Sequence, residues 1–333
     1  MAFFTKDWNG EEYFDIYDFH HVELYVGNAK QAVFYYCSAF GFKPYAYSGP
    51  ETGVRDKVSY VIKRDKIFFV FTTPLISEIF SSEWLKIHGD GVYDIAFSVS
   101  SNEKAYESCL SRGAEGVYNS TITSDKDGVY GKSSIKAYGD TIHSFIDDSK
   151  YHGLWAPGFE HIDLPYTCND TSLLKIDHIV ANLDVGKMDE IGSFYEEIFG
   201  FSIFVRFDET DISTQFSSLK SIVLRSRNWK IKLPINEPAE GIKKSQIQEY
   251  LDSNNGPGAQ HIAILTNDII KSIINLRENG VDFLRVPDTY YDNILDRVGP
   301  IDEDIETLKK LNILIDRDDD GYLLQLFTKP LHD

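Results

Sequence analysis

FHHVELYVGNAKQAVFYYCSAFGF, residues 19–42, returns in altered form as IDHIVANLDVGKMDEIGSFYEEIFGF, residues 176–201. Each copy opens with a short apolar strand that carries a histidine, His21 or His178, and runs into a helix that ends Phe-Gly-Phe. Val33, Tyr36, Cys37 and Phe40 fall at i, i+3, i+4 and i+7, and so do Ile191, Phe194, Tyr195 and Ile198. That spacing is the buried stripe of an amphipathic helix. Gly41 and Gly200 follow the last apolar residues, where a left-handed cap ends a helix. A repeat on this scale fixes the architecture before any single element is assigned.

A second pair aligns without gaps: GDGVYDIAFSVSSNEKAYESCLSRGA (89–114) with GPGAQHIAILTNDIIKSIINLRENGV (256–281). In each, a glycine-rich turn leads to a strand, a helix and another glycine, Gly113 or Gly280. Asp94 stands where His261 stands. A third pair sets GDTIHSFID (139–147) against GYLLQLFTK (321–329) and places His143 opposite Gln325. The chain therefore reads as an α+β fold of two halves, each holding two strand–helix–strands modules. The Pro-, Gly- and polar-rich stretch at 152–172 divides them. A sheet with one face to bury curls, and the curl makes a cup between modules.

At 333 residues the length suits two domains, and 22 Phe with 20 Tyr supply a large core or an aromatic pocket. A net charge of −19 argues against nucleic acid and against an anionic membrane surface, since both demand clustered Lys and Arg. Cys37, Cys109 and Cys168 form no CxxC pair and are too scattered for a disulfide framework, which points to reduced thiols and a cytoplasmic location. No signal-peptide pattern and no apolar run of spanning length is present, so no membrane insertion is expected.

His20, His88, His152, His161 and His332 occupy polar or turn contexts and read as surface residues. His178 and His261 lie mid-strand among apolar neighbours, in KIDHIVAN and GAQHIAIL. One histidine so placed is ordinarily a satisfied core residue. Two, on the first strands of successive modules of one half, can point into one cup. Two neutral imidazoles with one carboxylate make the facial triad of non-haem iron(II) oxygenases, which leaves positions open for substrate and dioxygen. His21, Asp94 and His143 are the matching set in the first half, read as a duplicate that lost its site and serves as scaffold.

KIDHIVAN, SSLKSIVL, KLPINEPAEGIKKSQIQEYLD, GPGAQHIAIL, VPDTYYDNI and GYLLQLFTKP together resemble the 4-hydroxyphenylpyruvate dioxygenase family of the vicinal-oxygen-chelate superfamily. FHHVELYVGNAKQAVFYY and GFKPYAY extend the resemblance into the first half. It implies two tandem domains, 1–155 without metal and 170–333 catalytic, each of two βαβββ modules whose curled mixed sheet forms a half-open barrel. It implies Fe(II) as cofactor, held by His178 and His261, with a third ligand, a glutamate, on a strand beyond Asp333. On that reading the chain lacks one ligand and a covering helix, binds Fe(II) weakly and turns over slowly or not at all. Substitution by Asp316, Asp318, Asp319 or Asp320 is not expected, because an acidic turn is ordinarily solvated.

The implied reaction is oxidative decarboxylation of 4-hydroxyphenylpyruvate with O2, ring hydroxylation and side-chain migration to homogentisate. The implied catalytic set is Gln246, Gln325, Asn236 and Ser221. Pro234, Gln260 and Phe327 complete the substrate contacts, amides binding a phenol and a keto acid without added charge. Strand alternation puts Pro234 with Asn236, and Gln325 with Phe327, on shared faces. Gln260 adjoins His261, so a regular strand turns it away from the metal unless a bulge intervenes. Lys243 and Lys244 read as helix surface. The partners implied are a small 2-oxo acid, O2 and further copies of the chain in a homo-oligomer. The alternatives are hydroxymandelate synthase, which takes the same substrate, and a two-domain binding protein without metal.

Overall fold

The structure is a computed structural model that describes residues 3–4, 10–207, 219–239, 244–317 and 321–330. His332, Lys243 and Asp318 to Asp320 lie outside the described residues. A two-residue strand, β1 (Phe3–Phe4), precedes the first module: β2 (Ile16–Tyr25), α1 (Ala29–Phe40), β3 (Lys43–Ser48), β4 (Lys57–Arg64) and β5 (Ile67–Pro74). After α2 (Phe80–His88) comes the second: β6 (Gly91–Val99), α3 (Asn102–Ser111), β7 (Gly116–Asp125), β8 (Gly128–Lys136) and β9 (Ile142–Tyr151). β10 (Glu160–His161) lies in the connection to the third, which comprises β11 (Leu173–Asn182), α4 (Met188–Phe199), β12 (Ser202–Phe207), β13 (Leu219–Arg225) and β14 (Lys232–Pro238). After α5 (Gln246–Ser253) the fourth holds β15 (Gly258–Thr266) and α6 (Ile269–Glu278). Then α7 (Ile294–Val298) and α8 (Ile305–Leu311) intervene before β16 (Leu314–Arg317) and β17 (Tyr322–Gln325).

The strands form a nine-stranded sheet, β10-β3-β4-β5-β2-β6-β9-β8-β7, a six-stranded sheet, β1-β12-β13-β14-β11-β15, and the hairpin β16-β17. β2 runs parallel to β5, β6 to β9 and β11 to β14, and the remaining pairs are antiparallel. Residues 3 and 4 pair with β12, so the start of the chain joins the second sheet rather than the first. The helices form for ordinary local reasons. Asn28, Ser101, Ser245 and Asp268 each accept a hydrogen bond from a first-turn N–H of the helix they cap. Gly41 and Gly200 end α1 and α4 at φ of 77° and 69°, a conformation that costs other residues about 1 kcal/mol or more.

The duplication extends to strand register. His21, Val22, Glu23, Leu24 and Tyr25 oppose Ala96, Ile95, Asp94, Val92 and Gly91. His178, Ile179, Val180, Ala181 and Asn182 oppose Ala263, Ile262, His261, Ala259 and Gly258, with the same irregularity at the same place. His21 thus corresponds to His178, and Asp94 to His261. The third sequence pairing is corrected. Lys136 N–H donates to Glu115 O at 2.9 Å and Lys329 N–H to Asp282 O at 3.0 Å, and Gly116 faces Ile135 as Phe283 faces Thr328. β17 is therefore the copy of β8, not of β9, and Gln325 corresponds to Lys132 rather than to His143.

One hydrophobic core joins the two sheets, with Val22, Phe97 and Phe145 packed alongside Ile179, Tyr195 and Phe199. A smaller core lies beneath α6, α8 and the β16-β17 hairpin. The face of the nine-stranded sheet turned away from the shared core carries smaller clusters, among them Tyr25, Trp84, Tyr93 and Ile142, beside polar groups such as Asp94 and Thr72.

Candidate metal centre and ligand pocket

His178 and His261 project from the adjacent strands β11 and β15. Ile176 and Ile179 on one strand, and Ile262 and Ile264 on the other, pack in the shared core, which turns both imidazoles to the inward face. The ring centroids are 6.0 Å apart with planes at 73°. Two rings that share an ion, at metal–nitrogen distances of about 2.1 Å, have centroids no more than roughly 6.5 Å apart. His178 Nδ1 lies 2.9 Å from Asp177 Oδ2, and His261 Nδ1 lies 3.1 Å from Gln260 Oε1. Both partner oxygens accept, so each Nδ1 donates and each Nε2 is the nitrogen left to face a metal. Burial, and then the neighbouring His178, lower the His261 pKa to about 4, so that ring is neutral at physiological pH. The hydrogen bond from His178, followed by Lys232 at 2.7 Å, holds the Asp177 carboxyl far below its ordinary range.

Gln260 is the extra residue of a bulge: the register passes from His261 directly to Ala259. That distortion lets Gln260 reach its own neighbour's ring. Phe327 meets His261 edge-on at 5.3 Å between centroids. Ser221 and Asn236 oppose one another across β13 and β14, and Pro234 shares the face of Asn236 because Leu233 and Ile235 turn to the core. Gln325 donates to Asp316 Oδ2 at 2.8 Å, so Asp316 serves this amide rather than the histidines. Gln246 is exposed at the first position of α5. Its side chain precedes the buried Ile247, and the helix turns Ile247 and Leu251 inward instead.

Among the described residues no group of three or more His, Cys, Asp and Glu side chains is arranged to hold a metal. The pair lies within the span that one ion can bridge, presents its two Nε2 atoms from adjacent strands, and would supply two of the ligands a facial triad needs. A surface cavity of about 540 Å3 lies elsewhere, lined by Lys43, Tyr45, Arg64, Asp170 and Leu173 among others.

The comparisons with known proteins bear on the same strands. A model of the Glyoxalase/Bleomycin resistance protein/Dioxygenase superfamily matches residues 175–326. A protein of Coccidioides posadasii named 4-hydroxyphenylpyruvate dioxygenase is 44% identical, over 94% of this chain and 84% of its own length. Its namesakes in Dictyostelium discoideum and Danio rerio are 43% and 42% identical, each over 95% of this chain and over 89% and 82% of their own lengths. The chain belongs to the 4-hydroxyphenylpyruvate dioxygenase family. Among solved structures, a mutant of 4-hydroxymandelate synthase from Streptomyces coelicolor matches with a TM-score of 0.82 at 28% identity, over 94% of this chain and 88% of that one. The vicinal-oxygen-chelate fold, with its curled mixed sheets, is that of the family.

In the first half the matching positions are occupied differently. Its counterparts of the pocket residues bind one another. Ser59 and Thr72, in the places of Ser221 and Asn236, share a 2.7 Å hydrogen bond, and Thr72 donates to Glu23 at 2.6 Å. Asp94 accepts from Ser144 N–H at 3.0 Å and faces Lys132 Nζ at 3.9 Å. Trp155 packs on His20 and His21 with centroids 5.0 and 5.3 Å away and covers them. His143 is on the opposite face: Nδ1–H donates to Ile95 O at 2.9 Å and Nε2 accepts from Tyr195 Oη at 2.7 Å. His21, Asp94 and His143 are thus not one constellation. His20 and His88 are not surface residues either. His20 contacts His21 and Asp148, while His88 lies between Asn254 O and Asp140. His152 and His161 are exposed as expected.

Proposed function

We propose that this chain acts in the manner its relatives' name states, taking 4-hydroxyphenylpyruvate and O2 to homogentisate and CO2 in tyrosine and phenylalanine breakdown. The observation that carries the proposal is the His178–His261 pair, on adjacent strands with both Nδ1 atoms anchored, within a chain 42–44% identical to dioxygenases along nearly its whole length. The proposed cofactor is Fe(II), bound by His178 and His261. Once bound, it supplies a site for a 2-oxo acid and dioxygen and the electrons for their reaction.

The protein's own part is positional. Asp177 and Gln260 fix the imidazole tautomers. Phe327 and Pro234 form apolar wall that excludes water from the reacting end. Ser221, Asn236 and Gln325 offer neutral donors and acceptors to the hydroxyl and oxo groups of the substrate. Gln246 keeps a proposed role only if α5 brings it inward when ligand is bound. Division into domains 1–155 and 170–333, a cytoplasmic location and a homo-oligomer belong to the same proposal. Among the described residues, no helix is long and apolar enough to cross a membrane.

The test is incubation of the purified chain with Fe(II), ascorbate, oxygen and 4-hydroxyphenylpyruvate, with chromatography of the products. Homogentisate that disappears in His178→Ala and His261→Ala supports the proposal. 4-Hydroxymandelate assigns the synthase reaction instead, and no iron retention together with no turnover assigns the binding-protein reading.

A further inference from the structure

Behind Asn236 lies a second amide that carries no sequence signal of its own. Asn182 ends β11 on the same inward face as His178 and four positions beyond it, since Ile179 and Ala181 between them turn to the core. It pairs in parallel register with Asn236, and the adjacent Leu183 N–H donates to Asn236 O at 2.9 Å. The Asn182 side chain is fully buried, whereas Asn236 keeps partial exposure to the cup. Asn236 Nδ2 donates to Asn182 Oδ1 at 3.5 Å, and Asn182 Nδ2 has no hydrogen-bond partner among the described residues.

The fold does not demand an amide at this position. Its counterpart in the first half is Tyr25, stacked on Tyr93 at 4.2 Å in an interior filled by aromatic rings. A buried amide without full satisfaction is unfavourable, so its presence calls for a reason outside packing. At a rise of about 3.3 Å per residue, Asn182 lies on the order of 13 Å along the strand from His178, towards the far end of any ligand held by the histidines.

We propose that Asn182 is a positioning residue for substrate recognition. By accepting from Asn236 Nδ2 it turns the Asn236 carbonyl oxygen to the open side, and that oxygen then accepts a hydrogen bond from a hydroxyl at the ligand's distal end. The proposal rests on the dioxygenase reading and deepens it: the distal group is the ring hydroxyl of the aryl-pyruvate. Asn236 makes the contact and Asn182 decides which of its two amide atoms is offered.

The experiment is calorimetric titration of the Fe(II)-loaded chain, without oxygen, with 4-hydroxyphenylpyruvate and with phenylpyruvate, which lacks only the hydroxyl. The expected wild-type preference is about tenfold, the worth of one hydrogen bond. Asn182→Leu reduces that preference to about twofold or less while phenylpyruvate binds as before. Asn182→Asp, which keeps an acceptor oxygen towards Asn236, retains it. Should Asn182→Leu fail to show a native unfolding transition, Asn182→Ala carries the same comparison. An undiminished preference in the folded Leu or Ala variant overturns the assignment and leaves the dioxygenase reading intact. A wild-type chain that binds both acids equally overturns the assignment alone, and one that binds neither overturns that reading and the assignment with it.

Discussion

Asp177 grips His178 with one carboxylate oxygen and Lys232 with the other, at 2.9 and 2.7 Å, so a single side chain orients the imidazole proposed to hold the metal. Removing such support characteristically weakens metal affinity by about 10- to 100-fold. Asp177→Asn is expected to fall in that range, read by anaerobic competition titration with Fe(II). Gln260→Leu is expected to do the same through His261. Unchanged affinity in both would show that the imidazoles orient themselves. The histidines were legible in the sequence because mid-strand histidines among apolar residues occur twice in one half. For Gln260 the sequence offered a bulge only as one alternative, because a bulge arises from the pairing of two strands and leaves no mark on either alone. Asn182 was illegible for a related reason: KIDHIVAN gives no hint that its last residue abuts Asn236 until β11 and β14 are paired.

At the scale of elements, α1 and α4 both end in left-handed glycines, yet their surroundings differ. A Cβ on Gly200 would lie within contact distance of the Glu11 backbone carbonyl, which cannot move as a side-chain tip can, whereas a Cβ on Gly41 would meet the Thr171 Oγ1 at 3.1 Å. Gly41→Ala is expected to lose about 1–2 kcal/mol from the left-handed conformation alone, and Gly200→Ala more, from added displacement of the chain near Glu11. Denaturant unfolding of the two variants measures the difference, and equal losses would show that the approach of Glu11 relaxes freely. The duplicated strands teach a different lesson. GDTIHSFID and GYLLQLFTK align well as strings, but any two strands of alternating residues do, because the side-chain period is two. Hydrogen-bonded neighbours resolved the ambiguity: Lys329 and Lys136 make the same backbone contact, and this moved Gln325 opposite Lys132.

Across the whole molecule, the two halves share one core, and the polar bond within it runs from His143 in the first to Tyr195 in the second. Tyr195→Phe leaves a fully buried acceptor unpaired and is expected to cost about 1–3 kcal/mol in chemical denaturation. A loss below a few tenths would show that the bond carries nothing. Two buried groups also oppose each other in acid. Burial lowers the His143 pKa to about 4, so the unfolded chain binds a proton there that the native chain refuses. Stability then rises with pH from about 4 to 6.5, by on the order of 3 kcal/mol. Burial raises the Asp94 pKa to about 6 against the pull of Lys132, so the native chain holds a proton the unfolded chain has lost. Stability then falls with pH from about 4 to 6, by a similar amount. The two nearly cancel in that window. Asp94→Asn is expected to expose the rising slope and His143→Gln the falling one, and parallel profiles for the two variants would refute this pairing. By itself the sequence determined the duplication, the helices of the repeated modules, the two mid-strand histidines of the second half and the family, because hydrophobic period and local motif are properties of the chain read in order. Only the tertiary structure decided that the first half pairs its own polar groups across the strands, and that His143 joins the two halves through Tyr195. It likewise decided that Gln246 is exposed and that Asn182 is buried against Asn236. Those outcomes depend on which strands become neighbours and which face each presents, and neither is written in any single segment.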